Sequence, residues 1–120
     1  MLRPEHTIER VYLHRAPIDM RKQRSGLAAL VQEVIQADPF SGALFIFTGK
    51  RRDRIKILWW DRNGFVVWYK VIEGKEKFPW PRYLDDEHIT LSVEQLHWLL
   101  EGYDVWKMKP HKSLHFSPAS

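Results

Sequence analysis

Arg54-Ile55-Lys56-Ile57-Leu58-Trp59-Trp60, then Asp61-Arg62-Asn63-Gly64, then Phe65-Val66-Val67-Trp68-Tyr69-Lys70-Val71-Ile72 form two β-rich runs joined through Asn-Gly. Asn-Gly between such runs is a strong hairpin signal, because glycine tolerates positive φ. Taken as a three-residue loop with Gly64 left-handed, Arg62-Asn63-Gly64 sets Trp60 opposite Val66, Leu58 opposite Trp68 and Lys56 opposite Lys70. Ile55, Ile57, Trp59, Phe65, Val67, Tyr69 and Val71 then share one apolar face, the expected core. Arg54, Lys56, Leu58, Trp60, Val66, Trp68 and Lys70 share the other. Cations mixed with indoles can follow phosphates and stack on bases. The competing reading has a helix covering the tryptophans while the lysines reach solvent at its margin. That covered reading is preferred for the indoles, which are costly to expose; the lysines stay candidates for anion contact.

Working back from this hairpin, residues 43–48 are a third β run. Between it and the next run lies Lys50-Arg51-Arg52-Asp53-Arg54-Ile55-Lys56, in which five of seven residues are cationic and one is anionic. That local excess of four equals the whole chain's net charge of +4. Crowded like charges at a turn repel unless a polyanion neutralises them, and nucleic acid is the commonest polyanion. The plainer reading is a solvated loop that keeps a sheet edge soluble.

Further out, residues 8–14 have β character, and Pro17 breaks the chain. Asp19 is the expected N-cap of a helix through about Ala37, with Met20, Leu27, Leu30, Val31, Val34 and Ile35 on one stripe. Arg21, Lys22 and Arg24 would fall in its first turns, where the backbone dipole disfavours cations, so a phosphate held there is a second candidate site. Residues 73–82 form a charged loop containing Phe78-Pro79-Trp80-Pro81. Residues 89–91 suggest a fourth short strand. Ser92-Val93-Glu94-Gln95 fits a capping box that opens a helix with Leu96, Leu99 and Leu100 on one side, ended by Gly102. The expected fold is α+β, an antiparallel β-meander of three to four strands with two helices on one face. Residues 1–102 would form a single domain and residues 103–120 a basic, flexible tail.

A chain of 120 residues suits one domain, and six tryptophans supply large units of burial. Without cysteine there are no disulfides or thiolate metal sites. No apolar run is long enough for a membrane span, and Met1-Leu2-Arg3-Pro4-Glu5 shows no signal-peptide core, so a cytoplasmic location is expected. Asp85-Asp86-Glu87 are contiguous acids pointing in different directions, whereas metal-dependent strand transfer needs carboxylates converging from separate elements. His111 and His115 have helical spacing for a metal, but Pro110 precedes them and no further ligand completes the set. No phosphate loop or nucleophile elbow is present. The residues call for no cofactor, no metal, no small-molecule substrate and no catalysis.

Several motifs then occur in a characteristic order. They are Val11-Tyr12-Leu13; Pro17-x-Asp19-Met20-Arg21-Lys22; Gly26-Leu27-x-x-Leu30-Val31; and Asp38-Pro39-Phe40-Ser41-Gly42-x-Leu44-Phe45. Arg51-Arg52-Asp53-Arg54-Ile55-Lys56, Trp60-Asp61-x-Asn63-Gly64-Phe65, Phe78-x-Trp80-Pro81 and Leu91-x-x-Glu94-Gln95-Leu96-x-x-Leu99-Leu100-Glu101-Gly102 follow. The chain resembles, from about Ile8 to Gly102, the small TnpB accessory proteins of the bacterial insertion-sequence-66 family. The resemblance implies a non-catalytic helper encoded beside a separate, larger transposase and needed for efficient transposition. Two mechanisms fit. In one, Lys50, Arg51, Arg52, Arg54, Lys56 and Lys70, with Arg21, Lys22 and Arg24, hold DNA at the element ends or in the transposase–DNA complex. In the other, Trp60, Trp68, Phe78 and Trp80 form a contact surface for the transposase or another accessory protein, with no DNA contact. A third reading, a small metal-dependent nuclease built on Asp53, Asp61, Asp85 and Asp86, stands last.

Overall fold

The computed structural model describes residues 10–81 and 88–106. The hairpin from which the sequence was read is present: β3 (Arg54–Asp61) pairs antiparallel with β4 (Gly64–Val71) along its whole length. On its other side β3 pairs antiparallel with β2 (Leu44–Thr48). Two further strands complete the sheet. β1 (Val11–His14) lies parallel to β2, and β5 (His88–Leu91) runs antiparallel to β1, giving the order β4-β3-β2-β1-β5. The α+β class holds. The sheet has five strands, and one pair is parallel because the long crossover between β1 and β2, residues 15–43, carries a helix and returns the chain to the end where β1 began.

Helices cover both faces of the sheet, not one. Alternation along β3 sends Ile55, Ile57 and Trp59 into a core with Leu96, Leu99 and Leu100 of α2 (Val93–Leu100). It sends Leu58 into a second core with Leu27 of α1 (Arg24–Leu30) and with Val31 and Ile35 of the π-helical segment that follows (Val31–Ile35). A strand apolar on both faces needs a layer on each side.

The three-residue loop is corrected to two residues. Asp61 pairs with Gly64, and the left-handed residue is Arg62 (φ 56°), not Gly64. The register therefore slips by one: Trp60 faces Phe65, Leu58 faces Val67 and Lys56 faces Tyr69. Such a slip exchanges the two faces of a strand. Phe65 and Val67 accordingly pack with Leu58 on the α1 side, while Val66 and Trp68 pack with Ile57 on the α2 side. The Lys56–Lys70 confrontation does not occur.

The first helix begins at Arg24, five residues beyond the expected cap. Asp19 is occupied elsewhere: its carboxylate accepts from the Arg21 backbone N–H at 2.9 Å and pairs with the Arg21 guanidinium at 2.7 Å. Gln23 takes the N-cap position without a side-chain cap. Of the expected stripe, Leu27, Val31 and Ile35 are buried at four-residue steps and Leu30 and Val34 are half-buried, while Met20 falls before the helix. Left-handed Gln36 (φ 60°) ends it, and the Ala37 N–H returns to the Val31 carbonyl at 3.1 Å. At α2, Ser92 and Gln95 make both bonds of a capping box, at 3.0 and 2.9 Å. Beyond Gly102 the chain still packs: Val105 is buried and the Trp106 indole donates to the Pro79 carbonyl at 3.2 Å.

Candidate nucleic-acid interface

Residues 49–53 join β2 to β3 and form a braced apex. The Arg52 N–H turns back to the Gly49 carbonyl at 3.0 Å, with Arg52 left-handed at φ 57°. From the other side the chain after β4 holds this turn at three points. The Ile72 N–H donates to the Asp53 carbonyl at 2.8 Å and the Phe78 N–H to the Arg52 carbonyl at 2.7 Å. The Lys77 ammonium donates to the Arg51 carbonyl at 2.9 Å. Phe78 is itself buried in the α2-side core, so the brace is anchored.

The five cations of the apex have different fates. Lys50 and Arg51 are exposed and Arg52 is half-buried; none of the three side chains has an ion pair or hydrogen bond among the described residues. Arg54 leans on Asp53 at 3.6 Å and donates to the Tyr69 hydroxyl at 3.3 Å. Lys56 donates to the Lys22 carbonyl at 2.8 Å and lies 5.5 Å from the centroid of the Tyr69 ring. Tyr69 thus gathers two cations, a role the sequence reading missed because it placed that side chain in the core.

Beside the apex lies an open cleft of about 510 Å³ between residues 17–20 and 49–54. Pro17, Ile18, Met20 and Gly49 supply its apolar part, while Lys50 and Arg51 stand at its margin. Its walls are tied together by the Ile18 N–H, which donates to the Thr48 carbonyl at 2.8 Å. Gly49 leaves room for the Met20 side chain, since a Cβ there would sit 2.6 Å from Met20 Cγ.

The first-turn placement expected for Arg21 and Lys22 is corrected. Arg21 and Lys22 precede the helix, and the Arg21 guanidinium is committed to Asp19. The hydrogen bonds from the Arg21 side chain, and then from its backbone N–H, hold the Asp19 carboxyl well below the usual carboxylate range. The same pairing raises the Arg21 guanidinium. Lys22 reaches the apex only through its carbonyl, the acceptor for Lys56. Arg24 opens α1 and is exposed. Lys70, on the α2 side, donates to the Leu100 carbonyl at 2.7 Å and so caps a helix.

The four aromatics read as one partner surface are divided between the faces. Phe78 and Trp80 are buried on the α2 side, with the Trp80 indole donating to the Arg15 carbonyl at 2.9 Å, and Trp68 packs against the same core. Trp60 belongs to a different group, with Phe40 at 5.0 Å and Phe65 at 5.0 Å between ring centroids. Phe40, in the turn before β2, is 53% exposed. This ring cluster stands at the far end of β3 from the apex, about 20 Å away at strand rise. Asp53 and Asp61 likewise bracket β3, about 25 Å apart at strand rise, too far to share one ion pair of metals. Asp85-Asp86-Glu87, His111, His115 and the basic residues from Lys107 onward lie outside the described residues. Among the described residues no three His, Cys, Asp or Glu side chains converge as a metal would require, and no helix is long and apolar enough to cross a membrane.

A family model described as IS66 Orf2-like protein matches residues 9–110, eight residues further than the motif resemblance extends. Two proteins of Sinorhizobium fredii (strain NBRC 101917 / NGR234) are similar over most of their length. The uncharacterized protein y4jC is 36% identical over 101 residues, covering 83% of this chain and 84% of its own. The uncharacterized protein y4hO is 35% identical over 98 residues, covering 82% and 83%. No solved structure matches the chain.

Proposed function

The chain belongs to the IS66 Orf2-like family, and from that premise we propose that this transposition accessory protein acts by gripping DNA through the apex between β2 and β3. The observation that carries the proposal is the braced display of Lys50, Arg51 and Arg52, whose side chains make no ion pair or hydrogen bond among the described residues. Three tie points behind them, at Asp53, Arg52 and Arg51, hold the turn in shape before any partner arrives. Cations fixed in this way favour a polyanion, because their mutual repulsion is relieved only when phosphates enter. Arg54 and Lys56 stand behind them, already engaged with Tyr69. Such contacts position a protein on a duplex and read no sequence directly. The site is therefore selected with the transposase, which we propose as the protein partner, acting in the cytoplasm. No residue of this chain is assigned a catalytic role.

A salt titration of binding to element-end DNA tests the proposal, with scrambled DNA as the control. If five phosphates are neutralised, log affinity falls against log salt with a slope of about −4.5. Combining Lys50→Gln, Arg51→Gln and Arg52→Asn lowers that slope in magnitude by about 2.7. Asparagine is chosen at position 52 because it tolerates the left-handed backbone there. A folded protein that ignores DNA in dilute buffer, or a triple variant with an unaltered slope, overturns the proposal.

A further inference from the structure

We propose that β4 is a pairing edge, and that it joins the β4 of a second copy of this chain to make one continuous sheet across a two-fold axis at Trp68.

β4 ends the sheet order and, among the described residues, is hydrogen-bonded on one side only. The bond from the Ile72 N–H to the Asp53 carbonyl fixes the phase of the β3–β4 ladder. By antiparallel alternation, Gly64, Val66, Trp68 and Lys70 turn their backbone groups toward β3. Phe65, Val67, Tyr69 and Val71 turn theirs outward, and none of these outward groups has a hydrogen bond among the described residues. Natural sheets blunt such an edge with charge, proline, a bulge or shortness. β4 uses none of these: it runs eight residues in unbroken one-to-one register, without proline. Its single charged side chain, Lys70, is drawn onto the Leu100 carbonyl. The opposite edge, β5, has four residues among those described.

The strand's own symmetry selects the occupant. Two outward residues precede Trp68 and two follow it, so antiparallel pairing of β4 with itself about that residue satisfies every outward group, through about eight hydrogen bonds. Phe65 of one copy then faces Val71 of the other, and Val67 faces Tyr69. Aromatic against β-branched side chains is a favourable cross-strand match. On the other face Lys70 meets Val66, so no like charges oppose one another. A shift by two residues in either direction leaves outward groups unpaired. The inference is independent of DNA contact, since the apex between β2 and β3 takes no part in it.

Sedimentation equilibrium across a dilution series should show the wild-type protein passing from monomer to dimer. Tyr69→Pro deletes an outward N–H while sparing the ladder to β3, and should leave a monomer with unchanged far-ultraviolet circular dichroism. Because the chain lacks cysteine, the register can also be tested by cross-linking. Mixed Val67→Cys and Tyr69→Cys proteins should form a disulfide-linked dimer on mild oxidation well ahead of either variant alone. The mixed cross-link decides the matter should Tyr69→Pro fail to fold. A wild-type monomer at every concentration, a dimer unaffected by Tyr69→Pro, or no preference for the mixed cross-link overturns the proposal. A monomer whose β4 amides gain hydrogen-exchange protection only when another protein is added would assign the edge to that protein instead.

Discussion

The Lys70 ammonium, carried on β4, donates to the carbonyl of Leu100 at 2.7 Å and closes the C-terminus of α2. A cation at that position satisfies an orphan carbonyl and complements the negative end of the helix dipole. Lys70→Met keeps most of the aliphatic stem and removes the donor. It should lower stability by about 1–2 kcal/mol in urea unfolding. The salt slope of DNA binding should not move, because this ammonium faces a helix end and not the apex.

The other end of α2 offers a matched test. Ser92→Ala removes the hydroxyl that accepts from the Gln95 N–H, while the Gln95 side chain can still accept from the backbone N–H of residue 92. The expected loss is about 1 kcal/mol by the same unfolding measurement. Ser92 and Lys70 cap opposite ends of one helix without touching, so the double variant should lose close to the sum.

Gly49 and Met20 should behave in the opposite manner. Gly49→Ala places a Cβ 2.6 Å from Met20 Cγ, so the wall of the cleft must move. The expected cost is about 1–3 kcal/mol. Met20→Ala clears the collision, so the double variant should be more stable than additivity allows, which a double-mutant cycle measures.

The Asp19–Arg21 pair gives a pH prediction with a definite sign. Folding lowers the Asp19 pKa, so its contribution is present above the unfolded carboxylate pKa and is lost as pH falls through the lower folded value. Carboxyl NMR should show Asp19 still ionised where ordinary aspartates have protonated. In Arg21→Ala its midpoint should rise toward the ordinary value. Both side chains are solvent-accessible, 91% for Arg21 and 46% for Asp19, so added salt should weaken the effect.

Strong local chemistry was legible in the sequence. Ser92 and Gln95 announced their helix by spacing alone, and Asn63-Gly64 announced a hairpin. The length of that hairpin's loop was not legible: moving the left-handed residue from Gly64 to Arg62 changes the count by one and exchanges the faces of β4. Trp68 and Tyr69 therefore traded places. Asp19 misled as a cap because an aspartate two residues before an arginine N–H can close its own small turn instead. The parallel β1–β2 pair was hidden as well, since nothing in either strand specifies its neighbour's direction. At the apex, the charge was plain in the residues, but the brace from Lys77 and Phe78 is a long-range contact that no window of sequence displays.

Because β3 feeds both hydrophobic layers, its length is not negotiable. One residue gained or lost midway would carry Ile57 and Trp59 into the space shaped for Leu58 and its α1-side neighbours, and the reverse, in a single step. Insertions and deletions in natural variants should therefore spare this strand and collect where the backbone is exposed and least tied, as at Glu73, Gly74 and Lys75.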